Sequence, residues 1–158
     1  MMRDSENTEA GVKVVKYSSE YSLSQIVDLY NAALLKEPAT KESIKSIIKH
    51  RPIFYLLVND DDVVGFVNGM IITTKTDPYI ARYISSKKTL IISDIVSTVS
   101  GGGRMLINKM LEYDLDIFLT AANADLINFY TKFGFSRQEV SDPDDQRIVM
   151  TYIKKNNK

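Results

Sequence analysis

The 158 residues are 44% hydrophobic and 25% charged, a balance that suits one soluble globular domain with a real core. Lysine plus arginine and aspartate plus glutamate both number 20, and this zero net charge argues against a nucleic-acid reader, which carries a basic excess. Cysteine is absent and histidine occurs once, at His50, which excludes disulfides, thiolate zinc sites and a cysteine nucleophile.

No apolar run is long enough to span a bilayer, and no charged-then-apolar leader opens these residues, so the expectation is a cytoplasmic location with no membrane partner. Residues 1–11 are polar and aperiodic and read as a mobile tail. Val12–Tyr17 alternates apolar with basic residues, which predicts a strand at or near a sheet edge. Leu23, Ile26, Val27, Tyr30 and Leu34 follow helical spacing. Past Pro38, Thr40 can cap a second helix whose apolar face is Ile44, Ile47 and Ile48. His50, between Lys49 and Arg51, reads as a polar helix-end residue rather than a catalytic one.

Ile53–Val58 is a continuous apolar run that suits a strand buried on both faces. The turn Asn59-Asp60-Asp61-Asp62 returns the chain into a strand over Val63–Ile72, where Gly65 and Gly69 mark a bulge or a close backbone approach. Residues 73–88 read as a loop with one helical turn, containing Tyr79 and Tyr83. Thr89–Ser97 is the next strand, followed by Gly101-Gly102-Gly103 and a helix from Arg104 to Tyr113. Leu115–Thr120 is a short strand. Phe135–Val140 and Arg147–Ile153 then form an antiparallel pair across the turn at 142–145, before a short basic tail with Lys154, Lys155 and Lys158. The predicted architecture is α/β: a mixed, mostly antiparallel central sheet with helices on both faces, forming one domain over 12–153.

Two motifs carry chemistry. At Ser100-Gly101-Gly102-Gly103-Arg104-Met105 a strand ends in a glycine turn and enters a helix. Bare backbone N–H groups and the positive helix terminus there suit the phosphates of a cofactor. The second motif is Asn123–Phe135, NADLINFYTKFGF: Asn123 can cap a helix, Leu126, Phe129, Tyr130 and Phe133 form one stripe, and Gly134 is a left-handed stop.

Together these motifs resemble the GNAT superfamily of N-acyltransferases. The second resembles the family signature Asn-x-x-Ala-x-x-hydrophobic-Tyr-x-x-hydrophobic-Gly-Phe, with Leu126 at the small-residue position. The first resembles the pyrophosphate loop Arg/Gln-x-x-Gly-x-Gly/Ala, with Gly101 and Gly103 at the glycine positions and Thr98 in place of Arg/Gln. Arg104 can supply the charge that Thr98 lacks.

The resemblance implies transfer of an acetyl group from acetyl-CoA to an amine by direct attack in a ternary complex, with no metal. Tyr130 would protonate the leaving thiolate, because a phenol with a pKa of about 10 stays protonated at neutral pH. Asp94 would be the base. Backbone N–H groups over Ile95, Val96 and Ser97 would hold the thioester oxygen, and Asn123 would touch the pantetheine arm. The acceptor is left open between a small molecule and a protein amine, and the resemblance allows a homodimer. The alternative is a catalytically silent acyl-CoA-binding or protein-interaction module on the same scaffold.

Overall fold

The computed structural model describes residues 8–9, 11–33, 38–138 and 148–154. The expectations for Leu34, Lys155, Lys158 and the 142–145 turn lie outside these residues, as does most of the N-terminal tail. The chain folds as two compact units, Met1–Met70 with Ser93–Tyr113, and Ile71–Ile92 with Asp114–Lys158.

The first unit begins earlier than predicted. Thr8–Glu9 (β1) pairs antiparallel with Val12–Lys16 (β2), and Gly11 between them takes the left-handed φ of 89° that so tight a return requires. Helix α1 (Leu23–Ala33) and helix α2 (Lys41–His50) follow. Thr40 caps α2 in a reciprocal box: its Oγ1 accepts the Ser43 N–H, and Ser43 Oγ accepts the Thr40 N–H. Strands β3 (Ile53–Asn59) and β4 (Asp62–Thr73) make the expected hairpin, with Asp60 left-handed at φ 56°. The unit's strand order is β1-β2-β3-β4-β5, where β5 is Lys88–Ser97. Its core gathers Ile26, Leu29, Tyr30 and Ile44 from the helices with Phe54, Leu56, Val58, Val63 and Phe66 from the hairpin.

The β3–β4 register slips so that Leu57 faces Gly65 but Val58 faces Val63, leaving Val64 as a bulge residue. That bulge turns the Val64 carbonyl toward Thr98, which donates both its N–H (3.0 Å) and its Oγ1 hydrogen (2.8 Å) to it. A Cβ on Gly65 would sit 2.6 Å from the Val96 carbonyl oxygen, so glycine is needed for β4 to come this close to β5.

In the second unit, a 3-10 turn at Thr74–Thr76 and helix α3 (Pro78–Ala81) give two short helical turns within 73–88, where one was expected. Strand β5 runs parallel to β6 (Asp116–Ala121). Helix α5 (Ala124–Thr131) leads to β7 (Ser136–Arg137) and β8 (Ile148–Tyr152), in the order β4-β5-β6-β8-β7. The pairs β1–β2, β2–β3, β3–β4, β6–β8 and β7–β8 are antiparallel and β5–β6 is parallel, so the sheet is mixed and mostly antiparallel. Ile80, Ile84, Phe118 and Val149 form this unit's core.

Candidate functional site

Helix α4 spans Gly102–Leu111, two residues earlier than the predicted start at Arg104. Two of the three glycines therefore belong to the first helical turn rather than to a loop. They do different jobs. Gly101 is the N-cap, with a left-handed φ of 80°, and it offers no side chain to the helix. Gly102 is buried, and a Cβ there would overlap Ser97 Oγ and a Leu57 methyl group, so its role is to seat α4 against β3 and the end of β5. We expect Gly102→Ala to lower stability by about 1–3 kcal/mol, the usual range for overpacking, as measured by chemical denaturation.

The opening turn of α4 is open at its backbone. Helices α2 and α5 have side-chain caps, from Thr40 and Asn123, and α4 has none. The Gly102 N–H donates to the Val99 carbonyl (3.1 Å) and the Met105 N–H to that of Gly101 (3.2 Å). The Gly103 N–H meets no acceptor among the described residues. Ser100 and Arg104 are exposed, and Gly101 and Gly103 are half-buried. Met105 sends its side chain into the core. Ile95 and Val96 are half-buried on β5, and Ser97 Oγ closes a local turn by accepting the Val99 N–H (3.2 Å) and donating to its carbonyl (2.9 Å).

Asp94, three residues before Ser97 on β5, belongs to a closed ring of four side chains. Its Oδ2 accepts a hydrogen bond from the Tyr30 hydroxyl and another from Arg51 Nη1 at 2.6 Å. Arg51 Nη1 also donates to Asn68 Oδ1 (3.1 Å), and Asn68 Nδ2 donates to the Tyr30 oxygen (3.0 Å), which completes the ring. Burial, and then the hydrogen bond to the Asp94 carboxylate, raises the Tyr30 pKa well above that of a free phenol, so Tyr30 is the donor. Asn68 is fully buried and Tyr30 nearly so. The carboxylate is thus held in place, with both bonds on Oδ2, and among the described residues Oδ1 takes none.

Sequence reasoning missed Tyr30, Arg51 and Asn68 as members of a polar site. A faint signal was present: Asn68 interrupts an otherwise apolar buried strand, and Arg51 follows directly on a helix end. His50 is exposed, and its Nδ1 donates to the Ser46 carbonyl (2.8 Å), as a helix-end residue does.

In the second unit, Asn123 caps α5 by accepting the Leu126 N–H on its Oδ1 (2.9 Å), and Gly134 ends the motif with φ 99°. The expected buried stripe is narrower than predicted. Tyr130 alone is buried, while Leu126, Phe129 and Phe133 are half-buried. The Tyr130 ring packs against Phe129 and Phe135, and burial pushes its pKa up to about 12. Its hydroxyl has no partner among the described residues, yet no buried side-chain oxygen or nitrogen among them is left unpaired. The hydroxyl therefore reaches the surface of the unit. Asp94 and the glycine turn lie in the first unit, and Asn123, Leu126 and Tyr130 in the second. Among the described residues no group of three or more His, Asp or Glu side chains is placed to hold a metal, and no helix is long and apolar enough to cross a membrane.

No family profile matches the chain, and no curated protein does. Solved structures do match. PH1933 from Pyrococcus horikoshii OT3 is 21% identical with a TM-score of 0.69, over 92% of this chain and 99% of that one. Arabidopsis thaliana Naa50, solved with a bisubstrate analogue joining CoA to an acetylated peptide, is 19% identical with a TM-score of 0.65, over 89% and 97%. The PaiA N-acetyltransferase of Thermoplasma acidophilum, solved with coenzyme A, is 17% identical with a TM-score of 0.64, over 90% and 98%. The fold is that of the GNAT N-acetyltransferases.

Proposed function

We propose that this protein is an acetyl-CoA-dependent N-acetyltransferase acting on a small-molecule or protein amine by direct attack in a ternary complex. The observation that carries this reading is the first turn of α4. It lacks a side-chain cap, its Gly103 N–H has no partner among the described residues, and its sequence resembles the family's pyrophosphate loop. Backbone N–H groups at a helix N-terminus suit a phosphate, and exposed Arg104 adds positive charge to the same turn. Structural neighbours crystallised with CoA or a CoA-peptide analogue support CoA as the co-substrate.

In the proposed reaction the amine nitrogen attacks the thioester carbonyl, the carbon–nitrogen bond forms and the carbon–sulfur bond breaks. Asp94 accepts the amine proton on Oδ1, since Oδ2 is engaged by Tyr30 and Arg51. Tyr130 gives its proton to the leaving thiolate and is reprotonated from solvent, to which Asp94 releases the proton taken from the amine. Backbone N–H groups over Ile95–Ser97 bind the developing oxyanion, and the amide side of the Asn123 side chain, whose oxygen is used in capping, contacts the pantetheine arm.

One observation favours the silent-module reading. Thr98, at the position of the family's Arg or Gln, directs both its N–H and its hydroxyl to Val64 and so takes no part in gripping phosphate. Calorimetric titration with acetyl-CoA tests the difference. The parent should bind, and Gly103→Glu should bind about tenfold or more weakly, because a carboxylate in the first turn repels phosphate. The same charge favours the helix, and glutamate is a better helix former than glycine, so this variant keeps its fold. Absence of binding by the parent would overturn the acyltransferase reading.

A further inference from the structure

The ring around Asp94 leaves one group over. Arg51 uses Nη1 alone in the ring, donating to Asn68 Oδ1 and to Asp94 Oδ2. Among the described residues its Nη2 and Nε meet no acceptor. Because no buried side-chain nitrogen among the described residues is left unpaired, this second edge of the guanidinium opens to solvent, consistent with 24% side-chain exposure.

Two features make that edge a receptor rather than an ordinary solvated arginine. The guanidinium is planar, so two bonds to Nη1 hold the whole fork in place. A surface arginine loses rotamer freedom when it grips a ligand, whereas much of that loss is already incurred here in folding. Two parallel N–H groups also match a carboxylate in bidentate fashion.

The local field has the same sign. Helix α2, which Arg51 directly follows, carries exposed Lys41, Lys45 and Lys49 at four-residue spacing, a single stripe, with exposed His50 beside them and Glu42 as its only acid. None of the three lysines pairs with an acid among the described residues. Such a stripe alone would be an ordinary solvated face. Next to a pre-held guanidinium fork it favours the approach of an anion.

The geometry points to Arg51 as the reader of a carboxylate on the acceptor, which makes the acceptor an amine that also bears an acidic group rather than a polyamine. This rests on the acyl-transfer reading for the amine, but the recognition itself can be measured without turnover.

The test is calorimetric titration of the full chain with the dipeptide Ala-Glu and with its fully amidated counterpart. The acid-bearing dipeptide should bind about tenfold more tightly, the scale of one charge-assisted bidentate pair. Arg51→Lys retains the charge and a donor for Asp94 but lacks the fork, so the preference should largely disappear. In the parent, the Arg51 Nε–H resonance should shift with Ala-Glu and not with the amide, a readout that needs no variant to fold. Equal affinities, binding of neither dipeptide, or a preference that persists in folded Arg51→Lys would overturn the proposal. Acetyl-CoA is titrated separately, so failure of the acyltransferase reading is distinguished from failure of carboxylate recognition.

Discussion

Tyr130→Phe is expected to lower kcat by about 10²- to 10⁴-fold, the usual contribution of a positioned general acid, with acetyl-CoA affinity nearly unchanged. Phenylalanine preserves the ring contacts to Phe129 and Phe135 and removes only the proton that the departing sulfur would take. The parent hydroxyl is suited to the task because burial pushes its pKa up to about 12. It therefore stays protonated through the neutral range, with no protein partner among the described residues competing for its hydrogen. The same shift has a stability consequence of fixed sign. The folded state holds this proton more tightly than the unfolded chain, so the contribution is complete below about pH 10 and is lost as pH rises through about 12. Denaturation profiles measured across that window should fall less steeply for Tyr130→Phe than for the parent. An undiminished kcat in the variant would remove Tyr130 as the acid and leave it a packing residue.

Local signals in the sequence were read well where the physics is local. Thr40 and Asn123 are caps because an orphan N–H and a short polar side chain lie three residues apart, and such a pair is visible in a short window. Gly134 ends its helix left-handed, and Gly65, beside the Val64 bulge, marks a close approach that leaves no room for a Cβ. The start of α4 was misplaced because glycine is a poor helix former, by about 1 kcal/mol relative to alanine. The fit of Gly102 beneath Ser97 and Leu57 overrides that propensity, and no local window contains Leu57. The strand at Thr8–Glu9 was missed for a similar reason: its residues are polar, and only the return at Gly11 brings them to β2.

The Asp94 ring was the least legible part of the site. Tyr30 lies 64 residues from Asp94 in sequence, and Arg51 lies 43 away. Periodicity placed Tyr30 correctly on the inner face of α1, but period identifies a face and not a bonding partner. The apolar run over Thr89–Ser97 likewise placed Asp94 on a strand without revealing that one of its oxygens was already engaged. A candidate base chosen from sequence was therefore half of a structural device.

That dual role predicts that two substitutions at one position separate stability from activity. Asp94→Ala should cost about 3 kcal/mol, toward the lower end for breaking a buried ion pair, because Arg51 and Asp94 retain 24% and 17% side-chain exposure and solvent offsets part of the loss. The nearly buried Tyr30 hydroxyl also loses its acceptor. In thermal unfolding this corresponds to a fall in Tm of about 6–12 °C for a chain of this size. Asp94→Asn keeps the shape and one acceptor oxygen for the ring, so its stability cost should be nearer 1 kcal/mol. An amide cannot take a proton from an ammonium, so kcat in Asp94→Asn should nevertheless fall by about 10²-fold, with KM for acetyl-CoA little changed. Tyr30→Phe separates the two contributions further. It keeps the stacked contact with Phe66 at 4.8 Å between ring centroids and removes one of the two bonds to Oδ2. If Asp94→Asn unfolds no earlier than Tyr30→Phe yet turns over far more slowly, Oδ1 acts as the base. If the two variants lose activity only in step with stability, Asp94 serves to hold Tyr30 and Arg51, and the amine gives its proton to water.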